Sequence, residues 1–144
     1  MVLFNLCIGG KSAVLTAITV ALGGKANSTG RGNGLRAFIR EGQPYVLFHS
    51  IFSFLVTHVT ETSAAEVSIH LKNQGDEAFK HDLYGDSIVI TRRFTKEGAS
   101  SYKIKSKDGK LVSTKREDLS AICDHMNIQV DNPMNVLTQG RSRT

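Results

Sequence analysis

The sequence predicts an α/β fold: a strand–loop–helix unit at the amino end, an antiparallel β meander after it, and a helix toward the carboxyl end. Three observations predict it. An apolar run from Val2 to Ile8 passes through Gly9-Gly10-Lys11-Ser12 into a helical pattern. From Glu66 onward the hydrophobic period changes to two, the mark of half-buried strands. Between two alternating stretches sits Asp108-Gly109, a pair that tolerates the positive φ angles of tight hairpins.

Taken in order, Val2 to Ile8 reads as a buried strand and Ala13 to Leu22 as a helix, with Val14, Leu15, Ile18 and Leu22 on one face. Gly23-Gly24 supplies its stop. Lys25 to Gly34 is a polar, glycine-rich connection, and Leu35 to Ile39 a short amphipathic piece. Pro44 to Thr62 stands apart: Val46 to Val56 is dense in aromatic and β-branched residues and carries no formal charge. It fits a buried strand or helix, or a segment foreign to the fold. Its run of about fourteen residues falls short of the ~18–20 needed to span a bilayer, so no membrane partner is expected.

Val67, Ile69 and Leu71 then alternate with Glu66, Ser68 and His70 as a strand. Asn73 to Tyr84 is polar and turn-rich, and Ser87 to Phe94 is a second strand around Ile88 and Ile90. Tyr102-Lys-Ile-Lys105 alternates again, and Lys107-Asp-Gly-Lys110 turns into Leu111-Val112. Thr114-Lys-Arg-Glu117 has the form of a capping box. The helix it opens places Leu119, Ile122, Cys123 and Met126 on one face. Asn132-Pro133 breaks the chain before Val136-Leu-Thr-Gln139.

With 144 residues and 40% hydrophobic content, the chain suits one domain or a piece of a larger one. Eighteen Lys and Arg against thirteen Asp and Glu give a net charge of +5, which favours polyanions such as nucleotides and nucleic acid, or belongs to a domain that is merely basic. Cys7 and Cys123 are too few for a disulfide framework or a zinc site, which suits a reducing compartment. His49, His58, His70, His81 and His125 show no metal-ligand spacing. The amino terminus has no charged n-region, and Lys11 interrupts its apolar run, so no secretory signal is expected.

Gly10-Lys11-Ser12 is the chemically informative tripeptide. In a P-loop the lysine ammonium reaches the β- and γ-phosphates and the next hydroxyl binds Mg²⁺. Lys11 and Ser12 also fall at a helix amino end, where free N–H groups favour anions. The full pattern has a glycine where this chain has Asn5, and Leu6, Cys7 and Ile8 resist a tight, phosphate-facing turn. Local sequence therefore leaves open a helix that simply begins after two glycines. No carboxylate is marked as a general base: Asp82, Asp86, Glu97 and Asp108 sit in turns or at strand ends. Asp124-His125 has the look of a dyad, but adjacent helical side chains diverge by about 100°, so a helix terminus is the better reading.

Lys11-Ser-Ala-Val-Leu-Thr-Ala17 followed by Leu22-Gly-Gly-Lys25 resembles the start of an ATPase head of the structural maintenance of chromosomes family. Further words occur in the family's order: Gly75-Asp-Glu-Ala-Phe-Lys80, Tyr84-Gly-Asp-Ser-Ile88, Ser101-Tyr-Lys-Ile-Lys-Ser106, and Asp124-His-Met-Asn-Ile-Gln-Val-Asp-Asn-Pro133 leading to Gln139. The resemblance covers Gly10 to Gln139 apart from Pro44–Thr62.

It implies residues 1–144 as the amino-terminal lobe of an ABC-type P-loop NTPase head, interrupted by an apolar insert at about 44–62. In the full family protein a long coiled coil separates the two lobes. By the same likeness Gly9, Gly10, Lys11, Ser12 and Ala13 cradle the phosphates of ATP, and Arg31 matches the arginine-loop position near nucleotide and DNA. Ser12 and Gln139 hold Mg²⁺, and no catalytic residue is assigned. The implied partners are the family's member-five subunit, associated non-ATPase subunits and DNA. The implied setting is DNA double-strand break repair and recombination on chromosomes in the nucleus.

This chain departs from the family pattern at Asn5, Cys7 and Ile8, as an alternative or mis-set start does. Pro44–Thr62 has no counterpart and reads more as retained intron sequence than as a functional element. Walker B carboxylates and the signature motif belong to the other lobe, so efficient ATP hydrolysis is not expected of this stretch alone. The alternative reading is a nucleotide-free basic module that contacts DNA or partner subunits through Arg31, Arg36, Arg92, Arg93 and Lys103.

Overall fold

The computed structural model describes residues 16–25, 34, 35, 39, 46–51, 54–60 and 64–130. The strand expected at Val2–Ile8, the loop residues Gly9 to Ala13, Arg31, Arg36 and Gln139 lie outside the described residues.

Helix α1 covers residues 16–21 and stops where the paired glycines predict. Gly23 adopts φ +93°, a left-handed conformation that costs glycine little. The Gly23 N–H donates to the Val20 carbonyl at 3.2 Å and the Gly24 N–H to the Thr19 carbonyl at 2.8 Å, which satisfies carbonyls that a helix end leaves without partners. Of the face expected, Leu22 is buried and Ile18, half-buried, packs against the core, while Val14 and Leu15 lie outside the described residues; Thr16, Thr19, Val20 and Ala21 are buried as well.

Six strands follow as a meander, and each pairs antiparallel with the next. They are β1 (Val46–Ile51), β2 (Phe54–Thr60), β3 (Ala64–Lys72), β4 (Ser87–Thr95), β5 (Ser100–Lys105) and β6 (Leu111–Ser113). Of the readings open for Pro44–Thr62, the strand is realised: β1 and β2 form a hairpin, and β2 runs beside β3 from Phe54↔Leu71 to Thr60↔Ala65. β-Branched and aromatic density favours that outcome. The β5–β6 turn is the expected one. Gly109 has φ +81°, and the N–H of Ser106 donates to the Lys110 carbonyl at 2.9 Å.

On β3, β4 and β5 the period-two pattern sorts the faces. Val67, Ile69 and Leu71 line up with Ile88, Ile90, Phe94 and Ile104, all buried. Val20 and Ala21 of α1 and Leu22 just after it join this core, as do Leu119, Ile122 and Cys123 of helix α3 (Arg116–His125). Leu35 packs against it, and Ile39 is within it. The face of α3 is the one the sequence predicts. Its start is not.

The capping box expected at Thr114 and Glu117 does not form, because β6 runs through Ser113 and the helix begins after Lys115. Glu117 is then one position too early to reach back. Instead the Ser113 hydroxyl accepts the Lys115 N–H at 3.1 Å and donates to Asp118, the residue that occupies the third helical position. At its other end α3 closes on Asn127, at φ 57°, with the Ile128 N–H on the Cys123 carbonyl at 2.8 Å.

The turn-rich stretch after β3 has its own organiser. Asn73, only 1% exposed, donates through Nδ2 to the carbonyls of Phe79 (3.0 Å) and Gly85 (2.8 Å), and its Oδ1 accepts the Phe79 N–H at 2.7 Å. A short helix α2 (His81–Tyr84) completes the loop before β4. Among the described residues no helix is long and apolar enough to cross a membrane.

Candidate nucleotide-binding site

In sequence only Val14 and Leu15 separate Gly9-Gly10-Lys11-Ser12-Ala13 from the first described residue of α1. Those five residues, with Arg31 and Gln139, lie outside the described residues. What the structure defines is how that helix is held.

The C-terminal end of α1 meets two arginines. Arg92, on β4, donates through one terminal nitrogen to the Val20 carbonyl at 2.7 Å and, at a long 3.4 Å, to the Gly24 carbonyl. Its Nε donates to Ser100 Oγ at 3.1 Å, and its guanidinium carbon lies 5.1 Å from the centre of the Tyr102 ring. Arg116, in the first turn of α3, reaches the Gly23 carbonyl at 3.4 Å. The C-terminus of a helix carries the negative end of its dipole, so cations belong there. Strand β4, helix α3 and helix α1 therefore converge on one turn of backbone.

Arg92 is 8% exposed, and burial pulls its pKa below the ordinary arginine value; the Tyr102 side chain pushes it up, and Arg116 pulls it down. Guanidinium stays protonated in proteins regardless, so the charge is present and must be solvated by the groups around it. The Val20 carbonyl, Ser100 hydroxyl and Tyr102 ring do that.

This placement corrects the grouping of Arg92 with Arg93 and Lys103 as polyanion contacts. Successive strand residues point to opposite faces. Arg92 pairs across the sheet with Val67 and Tyr102 and turns inward to α1. Arg93 and Lys103 are exposed on the other face, beside Lys105 and Lys72. On that face the hydroxyls of Ser68 and Thr91 share a hydrogen bond at 2.8 Å.

Gly24 is where the fit is tightest. A Cβ there would lie 2.5 Å from Thr19 Cγ2 and 2.8 Å from both the Thr19 carbonyl oxygen and Val130 Cγ1. Only glycine lets the chain leave α1 this close to its own last turn.

Other polar groups fall into structural roles. His125 ends α3, and its Nε2 lies 2.8 Å from the Glu77 carbonyl, so Asp124-His125 is a helix terminus as expected and not a dyad. Asp86 binds Lys107 Nζ at 2.8 Å and His81 Nε2 at 3.0 Å; these two hold its carboxyl below the usual range. Cys123 is buried, and desolvation pushes its thiol up to about 11. Among the described residues no cluster of His, Cys, Asp or Glu could hold a metal.

Two structural features escaped sequence reasoning: the Arg92 clamp and the Asn73 latch. The first had a signal, since positions 88, 90, 92 and 94 share one parity. The second had none, because a buried asparagine looks like any turn residue.

Comparison with known proteins bears on the same stretch. The profile of the AAA-domain family matches residues 9–142. The chain is 47% identical over 134 residues to human structural maintenance of chromosomes protein 6, and 44% identical to the protein of that name from Takifugu rubripes. Each alignment covers 93% of this chain, but the chain spans only about a tenth of the relatives' length, 10% and 11%.

Among solved structures, a chain from work on ATP-driven dimerization and DNA-stimulated activation of SMC ATPases superposes with a TM-score of 0.62 at 26% identity. The superposition covers 91% of this chain and 66% of that one. An SmcHead bound to the C-winged helix domain of ScpA gives 0.59 at 26% identity, covering 87% and 32%.

Proposed function

This chain belongs to the AAA-domain family, and we propose that it is the ATP-binding amino-terminal lobe of a chromosome-maintenance ATPase head. The observation that carries the reading is the helix after Gly10-Lys11-Ser12: it is present, ends where expected, and is anchored into the sheet at its far end. The relatives support the same reading through names that belong to chromosome-maintenance proteins.

On this reading Gly9, Gly10 and Ala13 present backbone N–H groups to phosphate, and Lys11 places its ammonium against the β- and γ-phosphates. Ser12 and Gln139 supply the oxygens that hold Mg²⁺, and Arg31 contributes a further cation near the nucleotide. Bound Mg²⁺ neutralises phosphate charge. Residues 1–144 act as one lobe, with 44–62 as an insert that lengthens the sheet by two strands.

The lobe works in DNA double-strand break repair and recombination, in the nucleus and on chromosomes. Its partners are the member-five subunit, non-ATPase subunits and DNA. Hydrolysis awaits the carboxy-terminal lobe, which supplies the Walker B carboxylates.

Titration with a fluorescent ATP analogue and Mg²⁺, of this chain alone and joined to a carboxy-terminal lobe, tests the proposal. Saturable binding that strengthens in the joined form is expected. A joined form that ignores nucleotide overturns it.

A second reading has its own observation: Lys72, Arg93, Lys103 and Lys105 lie on the outer face of β3, β4 and β5, opposed there by Glu66. Such a face suits a polyanion track, and the reading expects salt-sensitive DNA binding that does not respond to ATP.

A further inference from the structure

The two edges of the sheet differ in what they leave open to pairing. An edge strand presents a row of backbone N–H and C=O groups, and natural sheets blunt such rows with short strands, lysines, prolines or bulges. The β6 edge has three of these devices. It is three residues long, its register against β5 shifts between Ile104 and Lys105, and Lys110 and Lys115 stand on either side of it.

The β1 edge is regular by contrast. Its six residues pair with β2 in an unbroken register from Val46↔Val59 to Ile51↔Phe54. From Val46 through Thr60 the sequence contains no Asp, Glu, Lys, Arg, Pro or Gly. Among the described residues β1 hydrogen-bonds to β2 on one side and to no strand on the other. Every second residue of an antiparallel strand directs its N–H and C=O away from a given neighbour, so β1 carries an alternating row that points away from β2.

The complement of such a row is another regular, uncharged strand open on one side, and each copy of this chain supplies one. Antiparallel pairing of β1 with β1 about a twofold axis uses the same edge twice and leaves neither open, so it closes at two chains. At ~3.4 Å per residue the shared strand is about 20 Å long. A contact that short buries less than a permanent interface does, so the pair is weak and forms with rising concentration.

We propose that β1 is a homotypic docking edge: a second copy of this chain lays its own β1 antiparallel against it, joining two six-stranded sheets into one continuous sheet. The inference is independent of nucleotide binding and uses none of the residues assigned to it.

Sedimentation velocity of the full chain from ~1 to ~100 µM, in about 0.5 M salt to dissolve contacts bridged by polyanions, reads the association. Amide hydrogen exchange at both ends of that range locates it. We expect a monomer–dimer equilibrium with no larger species. At high concentration alternate amides of β1 should gain protection while those of β6 stay unchanged.

His49 lies near the middle of β1, so His49→Lys and His49→Glu each bring like charges together in the pair and should weaken it at least ~10-fold. Mixing the two variants should restore pairing, because opposite charges then meet. A parent chain that stays monomeric to the top of the range overturns the inference. So does association that both variants leave unchanged, or new protection spread evenly along β1 and β2. If circular dichroism shows that the variants do not fold, the alternation of protected amides in the parent chain decides.

Discussion

Gly23 and Gly24 are neighbours, and replacing each with alanine should cost different amounts for different reasons. At Gly24 the added methyl collides with Thr19 Cγ2 at 2.5 Å and with Val130 Cγ1 and the Thr19 carbonyl at 2.8 Å. The side chains can rotate away, but the carbonyl cannot, because it is the acceptor of the Gly24 N–H. Relief requires the chain to move off the helix. That strains packing by ~1–3 kcal/mol and weakens a hydrogen bond of about 1 kcal/mol, so Gly24→Ala should cost about 3 kcal/mol.

At Gly23 there is space, with the nearest atoms Tyr102 Oη at 3.5 Å and Leu119 Cδ2 at 3.7 Å, but φ is +93°. The left-handed conformation alone costs a residue with a side chain ~1–2 kcal/mol. Urea unfolding followed by far-ultraviolet circular dichroism gives both values, and Gly24→Ala should be the more damaging. A Gly24→Ala variant within about 0.5 kcal/mol of the parent, the range of an ordinary surface change, refutes the close-approach argument.

Three further outcomes follow from the same structure. Asn73→Asp puts a carboxylate oxygen against the Phe79 and Gly85 carbonyls where an N–H₂ now donates, and should cost about 3 kcal/mol at neutral pH; a change below about 1 kcal/mol by urea unfolding contradicts the latch. Cys123, with its thiol pushed up to about 11 by burial, should resist iodoacetamide at pH 8 in the folded chain and react in urea, with peptide mass spectrometry separating it from Cys7. Equal labelling in both conditions contradicts its burial.

His70 is held below its ordinary pKa of 6.5 by burial, so the unfolded chain binds more protons as pH falls through 6.5. Stability should therefore drop between pH 7.5 and 5.5, and His70→Gln should flatten that drop. An unchanged slope in the variant refutes the assignment. Asp86 does not confound it, because a carboxylate with a lowered pKa loses its contribution only below its unfolded value near 3.8.

How much of this was legible beforehand depends on where each signal lives. Local patterns gave the elements: the alternation at Val67, Ile69 and Leu71, the Asp108-Gly109 turn, and the apolar stripe of α3 are each visible within one element. The strand outcome for Pro44–Thr62 was one of several readings, because a short charge-free run has no periodicity to arbitrate. The α3 cap moved by one residue because β6 claims Ser113, a competition between elements that a four-residue motif does not contain.

For the candidate site, the glycine stop of α1 was legible and the Arg92 clamp was obscured by the adjacent Arg93. Two arginines in a row look like a basic patch until strand parity sends them to opposite faces. The inward one then has a helix end to meet, 72 residues earlier in the chain.

The account's central claim is that phosphate is taken at the amino end of α1, and residue-resolved chemical-shift mapping tests it most directly. Titrating the isotope-labelled chain with an ATP analogue and Mg²⁺ should move the amides of Gly10 to Thr16 most, in a manner abolished by Lys11→Ala. Shifts confined to Arg93, Lys103 and Lys105, or the same pattern in the Lys11→Ala chain, contradict it.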